Sequence, residues 1–356
     1  MYRKKLYDSD EAAVCFFRTT VREPYKKCLL QITERCNLLC EHCFVSSTSK
    51  GTELSYENIE NVILPYFKKN KVIKVTLTGG EPLMHKKIYE VIELFAVNDI
   101  SVTICSNGSL VNMELIEKLK KFSNVRFNIS LDGFSNKSHN RFRNSSYRCL
   151  FDDVKRNVQL LSELGLLKGI LITPNKFSTI EEYVELCKFA KQIGADYVLL
   201  NPLSEYGRGE DAVKLSMEVE ELIKIKEETK YLIDETFEIV YIRFPNEEQK
   251  KLSSCKYGEV LYVFTDGNIA ICPYMVFAAN SNKNQYKPDD FYIGNIFNTT
   301  DTLDVLLDKF TLPIEKVVPQ KCGMSCSRGC LAAKMANGMS IEDCDMELCP
   351  ITFKGR

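Results

Sequence analysis

The sequence predicts an α/β fold, in which a partial (β/α)6 barrel is followed by a small C-terminal cysteine-rich domain. Two patterns predict this fold: β-branched runs alternate with helical periodicity over residues 28–203, and cysteines are dense after residue 320. The length of 356 residues, of which 45% are hydrophobic, is enough for one enzyme core and a smaller appendage. Six units fall short of a closed eight-stranded barrel, so the predicted barrel is open on one side. The strand candidates are residues 29–33, 72–78, 101–106, 125–131, 169–173 and 197–201.

The helices between these strands show apolar residues at helical spacing. Ile59, Val62, Ile63 and Tyr66 recur at i, i+3, i+4 and i+7, which predicts an amphipathic helix packed on the sheet. A capping box of Ser178 and Glu181 is expected to open another helix, which closes at Gly194. The predicted organisation is an N-terminal extension (1–27), the barrel (28–203), a bridging segment with a charged helix (204–250) and the cysteine-rich domain (251–356).

The charge balance excludes several classes of partner. Lys plus Arg number 47 and Asp plus Glu number 48, so the net charge of −1 argues against nucleic acid or an anionic membrane. No run approaches the roughly 18 apolar residues of a spanning helix, and the N-terminus lacks an apolar signal segment. A cytoplasmic location is therefore predicted. Fifteen cysteines in such a chain point to metal or cluster binding, because disulfides are disfavoured there.

Three cysteines form the first motif, directly after the strand candidate at residues 29–33. Cys36, Cys40 and Cys43 supply three thiolates within eight residues. Structural zinc is normally closed by four ligands, whereas three cysteines on a four-iron cluster leave one iron open to a small molecule. The spacing favours such a cluster, and on this motif alone zinc binding or accidental clustering stays an alternative.

The second motif lies one β/α unit downstream, where the strand at residues 72–78 ends in Gly79-Gly80-Glu81-Pro82. The two glycines permit close approach of the backbone to a ligand, and Glu81 offers a carboxylate. This combination predicts a site for an amine. A plain turn at a strand end is the alternative interpretation.

Together the two motifs resemble the radical S-adenosylmethionine (SAM) superfamily. Its CxxxCxΦC signature matches Cys36, Cys40 and Cys43, with His42 at the usually aromatic position, and its GGEP element matches residues 79–82. The resemblance implies a four-iron cluster whose open iron binds the amino and carboxylate groups of SAM. One-electron transfer then breaks a carbon–sulfur bond and gives a 5′-deoxyadenosyl radical.

The resemblance also implies roles for further residues. Gly79, Gly80 and Glu81 would hold the methionyl amine, and His42 would lie near the adenine. Asn107 and Ser130, at the ends of the third and fourth strands, resemble residues that line the ribose and carboxylate of SAM. Arg143, spaced from His139 as in the family, would meet the methionyl carboxylate. For Asn107, Ser130 and Arg143, a cap, a turn or a surface charge is the alternative role. The implied cofactor-binding residues are His42, Gly79, Gly80, Glu81, Asn107, Ser130 and Arg143.

The C-terminal cysteines resemble the SPASM extension, which implies two auxiliary [4Fe-4S] clusters and three clusters in all. An Asp266-Gly267 turn predicts a hairpin that returns Cys272 toward Cys255. By position, the resemblance implies a first auxiliary cluster on Cys255, Cys272 and Cys330, and a second on Cys322, Cys326 and Cys349 with Cys344 as the fourth ligand.

The cysteine spacing departs from the family pattern in two ways. Within the run that begins at Cys322, only this one cysteine precedes Cys326, and Cys344 is additional. The first auxiliary cluster then lacks a fourth thiolate, and a substrate or a non-cysteine group would take that position. The isolated cysteines are interpreted as small buried hydrophobic residues. These are Cys15, Cys28, Cys105, Cys149 and Cys187.

The resemblance implies an oxidoreductase that modifies a ribosomally synthesised peptide by a thioether or carbon–carbon crosslink or by epimerisation. An electron donor such as flavodoxin or ferredoxin is implied as a partner. Because 27 residues precede the barrel, the leader peptide is expected to bind a separate protein, the enzyme body, or neither.

Other functions remain open. A sulfatase-maturing (formylglycine-forming) enzyme is disfavoured, since Pro273 follows Cys272 where that class has Asp. A small-molecule radical dehydrogenase would share every motif. An iron–sulfur electron carrier or a zinc-bound interaction module would explain the cysteines, but not Gly79-Gly80-Glu81.

Overall fold

A computed structural model describes residues 10–15, 21–312 and 329–350 of the chain. Its centre is a ten-stranded sheet in the order β12-β11-β10-β2-β3-β4-β5-β6-β7-β8. All neighbours from β10 through β8 pair in parallel, and β11 and β12 are antiparallel. A separate two-stranded sheet joins β1 to β9. The strands are β1 (Glu11–Ala12), β2 (Lys26–Thr33), β3 (Val72–Gly79), β4 (Ser101–Ser106), β5 (Val125–Ser130), β6 (Leu167–Ile172), β7 (Tyr197–Leu200), β8 (Glu238–Tyr241), β9 (Lys251–Leu252), β10 (Val260–Val263), β11 (Asn268–Ala270) and β12 (Tyr292–Asn295).

The α/β class is confirmed, and all six predicted strands form, as β2 to β7. The sheet extends beyond them on both sides. Strand β8 comes from the predicted bridging segment, where its four residues follow a charged helix and give little sequence signal. Strand β10 comes from the predicted cysteine-rich domain and pairs in parallel with β2. The predicted bridging segment and cysteine-rich domain therefore share one sheet with the barrel strands.

The helices cover the sheet with their apolar sides. The segment from Tyr56 to Lys69 runs as α1, a π-helical stretch (Ile59–Ile63) and α2, and it buries Ile59, Ile63 and Phe67 against the sheet. The helices are α1 (Tyr56–Asn58), α2 (Leu64–Lys69), α3 (Ile88–Val97), α4 (Met113–Leu119), α5 (Asn136–Phe142), α6 (Leu150–Glu163), α7 (Ile180–Gln192), α8 (Val219–Thr229), α9 (Pro273–Ala279), α10 (Leu303–Lys309) and α11 (Leu331–Ala336).

The start of α7 differs by one residue from the sequence prediction. The capping box is formed by Thr179 and Glu182, whose side chains each accept from the other's backbone N–H. Ser178 is not the cap, because its hydroxyl donates to the carbonyl of Asp132 instead. This contact ties the end of the β6 unit to the end of β5, next to the predicted site.

One cavity of about 340 Å³ lies on the inner side of the sheet. Consecutive strands each contribute side chains to its wall, which requires the sheet to curve around it. The contributions run from β2 to β8 as Leu29, Thr76, Cys105, Asn128, Leu171, Leu199 and Val240. Loops that follow the carboxyl ends of the strands close one end of the cavity. Within the described ranges, no helix combines the length and the apolar character needed to cross a bilayer.

Candidate cluster and cofactor site

The three cysteines of the first motif all face this cavity, on the loop that follows β2. Backbone bonds shape the loop: the N–H of Cys36 donates to the carbonyl of Thr48 at 2.7 Å, and that of Cys43 to the carbonyl of Cys40 at 3.3 Å. Burial raises the pKa of the Cys36 thiol to about 12 and also raises that of Cys40. Such thiols stay protonated unless a metal stabilises the thiolate, so the loop favours metal binding over free reactive thiolates.

The two glycines of the second motif lock against the backbone that leads into this loop. The N–H of Gly80 donates to the carbonyl of Thr33, and the N–H of Glu81 to that of Arg35, both at 2.8 Å. A Cβ atom on Gly79 would lie 2.1 Å from the Thr33 oxygen, and one on Gly80 would lie 2.3 Å from the Arg35 oxygen. Gly79 also has φ near +153°, which favours glycine. The sequence predicts that the backbone of these glycines approaches a ligand closely. In the structure their close approach is to the backbone that leads into the cysteine loop.

Glu81 is a fully buried carboxylate that joins the ends of β3 and β4. Its Oε1 accepts from the Ser106 hydroxyl at 2.7 Å and from the Leu83 N–H at 3.0 Å, and its Oε2 accepts from the Asn107 N–H at 2.7 Å. Burial raises the pKa of Glu81, and these donors oppose the rise. Three internal bonds leave this carboxylate little capacity for a further donor.

Asn107 connects the same region to the middle of the cysteine loop. Its side-chain N–H donates to Asn37 Oδ1 at 3.0 Å, between Cys36 and Cys40, and its Oδ1 accepts from the backbone N–H and the hydroxyl of Ser109. Ser130 lies at the end of β5 and lines the cavity. The structure therefore brings Asn107 and Ser130 to the same cavity as the cysteines, as the sequence predicts.

Arg143 and Asp132 form a buried ion pair beside Cys40. The guanidinium Nη2 lies 2.5 Å from Asp132 Oδ2, and Nη1 lies 3.8 Å from Cys40 Sγ. Although burial opposes the charge, Asp132 and Cys40 raise the pKa of Arg143 above its ordinary value. Asp132 also accepts from the Thr173 N–H, so it links the end of β5 to the end of β6. Asp132 was not predicted as a site residue from the sequence, although it lies two residues after Ser130, the last residue of β5.

His42 stacks on Phe142 at a centroid distance of 4.0 Å, with the rings 2° from parallel. Its Nε2 lies 3.8 Å from Asp132 Oδ2. Burial, with the nearby charge of Arg143, holds the pKa of His42 well below its ordinary value. The ring is therefore neutral, with one face covered by Phe142. His139 is also buried and neutral, and its Nδ1 accepts from the Asp132 N–H.

A second arginine, which was not predicted from the sequence, holds the cysteine loop from the other side. Arg208 Nε donates to the carbonyl of Cys40, and Nη1 donates to that of Ser47, both at 2.8 Å. Its backbone N–H donates to the carbonyl of Cys43. Gly207 has φ near +52°, and a Cβ there would lie 2.6 Å from the carbonyl of Phe44. Nothing local in the sequence connects Gly207-Arg208-Gly209 to residues 40–47.

The interior end of the cavity is lined by two basic side chains that were not predicted from the sequence. Lys27 and Lys168 line it together with Cys105, which was predicted to be a packing residue. Burial, and then the charge of Lys168, lower the pKa of Lys27 to about 8. The thiol of Cys105 accepts a long bond from the Asn128 amide at 3.8 Å. Cys15, Cys28 and Cys187 are buried as expected, but Cys149 is exposed, so the expectation of burial was wrong for it.

Three of the cysteines after residue 250 lie in or against a second apolar cluster. Cys272 and Cys330 belong to it, and Cys255 packs against it. Cys272 precedes α9 and Cys330 precedes α11, and these two helices contact each other. Cys349 is buried and Cys344 is partly buried. Cys322 and Cys326 lie outside the described residues.

The donor set suits a polar cofactor that carries a carboxylate, and a cluster. Among the described residues, four buried polar atoms of cavity-lining side chains have no hydrogen-bond partner: His42 Nδ1, Arg143 Nε, Asn201 Oδ1 and Asp132 Oδ2, of which the last is ion-paired with Arg143. Buried polar atoms are normally paired, so such atoms indicate a polar ligand. No three candidate ligands meet at single-ion spacing in the described part of the chain. A cubane needs no such meeting point, because each thiolate binds a different iron.

Fold and site together define an α/β protein whose cysteine loop and cofactor-binding residues meet at the carboxyl edge of a parallel sheet. Residues 30–190 match the family described as the Radical SAM superfamily, so this part of the chain is a radical SAM domain. Members of this superfamily use a [4Fe-4S] cluster and SAM.

Two curated relatives and one solved structure are similar over much of the chain. The antilisterial bacteriocin subtilosin biosynthesis protein AlbA of Bacillus subtilis is 26% identical over 277 residues, which is 75% of this chain and 56% of AlbA. The mycofactocin maturase MftC of Mycolicibacterium smegmatis is 24% identical over 89% of this chain and 81% of its own length. Streptococcus suis SuiB bound to SAM has a TM-score of 0.68 at 18% identity, over 91% of this chain and 77% of SuiB.

The chain therefore spans little more than half of AlbA. At 18% identity, the likeness to SuiB shows a shared fold. The structural similarity to SuiB covers 91% of this chain and so extends beyond residues 30–190. This extent is consistent with the C-terminal strands joining the same sheet as the barrel strands.

Proposed function

We propose that this chain is a radical SAM enzyme that modifies a ribosomally synthesised peptide. The observation that carries the proposal is the convergence, on one cavity, of the three thiols of the first loop, the Gly79-Gly80-Glu81 turn and the Arg143–Asp132 pair. The names of the relatives support the peptide substrate: AlbA is a bacteriocin biosynthesis protein, MftC is a maturase, and SuiB has also been solved bound to precursor peptide SuiA.

In this proposal Cys36, Cys40 and Cys43 hold the first cluster. When bound, the cluster and SAM supply a 5′-deoxyadenosyl radical that abstracts hydrogen from the substrate. The chain itself contributes by holding the three cysteine thiols in position. Arg208 fixes the carbonyl of Cys40, and the glycines fix the backbone before Cys36, so the three thiols have little freedom to move apart.

The same cavity offers complementary groups for SAM. Arg143, which keeps its Nε without a partner among the described residues, is the cation for the methionyl carboxylate. The backbone of residues 79–81 is the element for the amine, since the Glu81 carboxylate is committed to internal donors. His42, neutral and stacked on Phe142, is the aromatic neighbour for the adenine. Asn107 and Ser130 complete the polar wall.

The C-terminal cysteines are proposed to bind two auxiliary [4Fe-4S] clusters, giving about twelve irons per chain. Cys255, Cys272 and Cys330 serve the first, and Cys322, Cys326, Cys344 and Cys349 the second. The proposal includes reduction by a flavodoxin or ferredoxin and a cytoplasmic location, supported by the balanced charge and by fifteen cysteines, since clusters rather than disulfides form in that compartment.

The first experiment tests the chemistry. Anaerobically reconstituted protein with dithionite and SAM should release 5′-deoxyadenosine, and the Cys149→Ala variant should match it, because this cysteine is exposed and does not line the cavity. An electron carrier or a zinc-bound module would release none, and that result would overturn the proposal.

The second experiment tests the substrate class. A short peptide encoded beside the gene would be co-expressed with the enzyme and its mass measured. A crosslink removes two hydrogen atoms, whereas epimerisation leaves the mass unchanged in H₂O and adds one deuterium in D₂O. A formylglycine product on a co-expressed sulfatase, or turnover confined to small molecules, would support the alternative functions instead.

A further inference from the structure

The N-terminal segment runs alongside the chain that leads to Cys255. Strands β1 and β9 are parallel, with Glu11 opposite Lys251 and Ala12 opposite Leu252. Beyond them, the Ser253 N–H donates to the Ala12 carbonyl at 2.9 Å, and the Val14 N–H donates to the Ser253 hydroxyl at 3.1 Å. The two-residue ladder ends at Ala12 and Leu252, and Cys15 and Cys255 each stand three residues further along their segment.

A second set of contacts links the same segment to Cys330 through Arg243 and Asp345. The N–H of Arg243 donates to the carbonyl of Ala13 at 2.7 Å, and its guanidinium contacts Asp345 at 2.5 and 3.2 Å. The Asp345 carboxylate in turn accepts from the N–H of Cys330 at 3.4 Å. Asp345 is buried, so this series of contacts belongs to the protein interior.

Cys255 and Cys272 are brought together by the hairpin. The N–H of Gly258 donates to the carbonyl of Ile271 at 3.0 Å, which places the segment after Cys255 beside the residue before Cys272. Cys272 and Cys330 share one apolar cluster, and Cys255 packs against it. Three thiols from separate parts of the C-terminal region therefore converge where the N-terminal segment ends.

The electrostatic behaviour of the thiols agrees with this convergence. The thiol of Cys15 lies close enough to those of Cys272 and Cys330 to interact with both electrostatically. Cys15 itself is 4% exposed, so its thiol faces the interior where these cysteines lie.

From this geometry we propose that Cys15 is the fourth thiolate ligand of the first auxiliary cluster, with Cys255, Cys272 and Cys330. The inference rests on the proposed function, because it takes the auxiliary cluster from it. It supplies, from outside the SPASM pattern, the thiolate that the pattern lacks here, and it leaves no iron of this cluster open to a substrate. The N-terminal segment then acts as part of the cluster domain, and the cluster serves electron transfer or structure.

The charge around the four cysteines also suits a cluster. Four thiolates on a cubane make an anionic group, and buried cations offset such charge. Arg243 lies on the path to Cys330, and the Nζ of Lys334 donates to the carbonyls of Ile341 and Asp343 at 2.6 Å. Burial lowers the pKa of Lys334, while Cys330 and Cys255 are among the groups that oppose the decrease.

The test uses full-length protein in which Cys36, Cys40 and Cys43 are all changed to Ala, so that bound iron reports the auxiliary clusters alone. Iron, sulfide and zinc per chain are measured after anaerobic reconstitution, with electron paramagnetic resonance of the oxidised and reduced forms. About eight irons are expected in this reference protein. Adding Cys15→Ala should remove between one and about four of them, with a three-iron signal in the oxidised protein if one is lost.

Two further variants control for folding. Cys28→Ala, a change at another fully buried cysteine, should keep the iron content of the reference. Cys15→Ser preserves side-chain size and should retain a cluster with an altered spectrum, because oxygen replaces sulfur on one iron. If both Cys15 variants match the reference in iron content and spectrum, Cys15 is not a ligand.

The outcomes separate this inference from the proposed function. A reference protein without iron that holds zinc, and loses it in Cys15→Ala, would keep Cys15 as a ligand and overturn the auxiliary cluster. A reference protein with neither metal would overturn both. Iron that is present but indifferent to both Cys15 variants would overturn the ligand assignment alone.

Discussion

The two cysteine regions of this chain are built in contrasting ways. The first region places three thiols within eight residues of one loop. Backbone hydrogen bonds from residues that follow other strands then hold that loop in place. The second region gathers Cys255 and Cys272 from one hairpin region and Cys330 from a segment about 60 residues later, and the N-terminal segment that contains Cys15 pairs with the chain before Cys255. A local ligand set reveals its chemistry by spacing, whereas an assembled set depends on the whole fold being formed first.

The largest expected effect tests the first region. Changing Cys36, Cys40 or Cys43 to Ala should reduce release of 5′-deoxyadenosine to background, because each change removes one ligand of the first cluster. The assay is chromatographic detection of 5′-deoxyadenosine under anaerobic conditions. Retained cleavage in any of these variants would remove the contrast between the two regions, because the reactive cluster would then lie elsewhere.

The second prediction separates the roles of the regions. Cys322→Ala should leave SAM cleavage within about twofold of the parent while peptide conversion falls to background, because the change leaves all three ligands of the first cluster in place. Both products can be measured in one reaction by mass spectrometry. Equal losses of cleavage and conversion would mean that the auxiliary region is needed for the first step too.

The third prediction concerns how the first loop is held. Gly80→Ala should lower the rate of SAM cleavage by roughly 10- to 100-fold, because a Cβ atom 2.3 Å from the Arg35 carbonyl must displace the backbone that leads into Cys36. Gly165→Ala is the matched control: its φ is positive, near +68°, but nothing lies within 4 Å of the added atom. A comparable loss of cleavage in Gly165→Ala would assign the effect to general destabilisation.

The fourth prediction addresses the cation beside the first loop. Arg143→Lys should weaken SAM binding by about tenfold with unchanged iron content, because a lysine cannot reproduce the forked contact of a guanidinium. Binding can be followed by titration of the reconstituted protein. Arg141→Lys, an exposed change on the same helix, should have no effect. Loss of iron in Arg143→Lys would instead indicate that this residue mainly secures Cys40.

The smallest effect is expected at Lys27, on the strand that leads to the first loop and pairs with β10 of the second region. Its pKa is lowered from 10.5 to about 8 in the folded chain, so the unfolded chain binds more protons between these values and stability rises with pH there. Lys27→Met should therefore raise the free energy of unfolding at pH 7 by about 1–3 kcal/mol, allowing for its partial access to the cavity. The gain should disappear by about pH 10.5. Thermal unfolding across this range measures it, and a gain that is independent of pH would contradict burial of the ammonium charge as its cause.

Much of the scaffold could be predicted because its signals are local. Strand β4 was predicted with the bounds that the structure has, and β2, β3, β5, β6 and β7 differ only at their ends. Strand β8 was missed because four residues that pair with β7 carry no periodicity of their own. The capping box of α7 was placed one residue early, because Ser178 is used by the Asp132 carbonyl rather than by the helix.

The candidate ligands of the first region could be identified from the order of residues alone, since the spacing of three cysteines on one loop and the Gly-Gly-Glu turn are properties of neighbouring residues. Three other features became visible only in the folded chain: Gly80 packs on the backbone that leads into the cysteine loop, Arg208 holds this loop from the opposite side, and the segment before Cys15 pairs with the chain before Cys255. The difference arises from distance along the chain. Contacts between residues hundreds of positions apart leave no periodic or spacing signal, and they exist only once the sheet has brought those residues together.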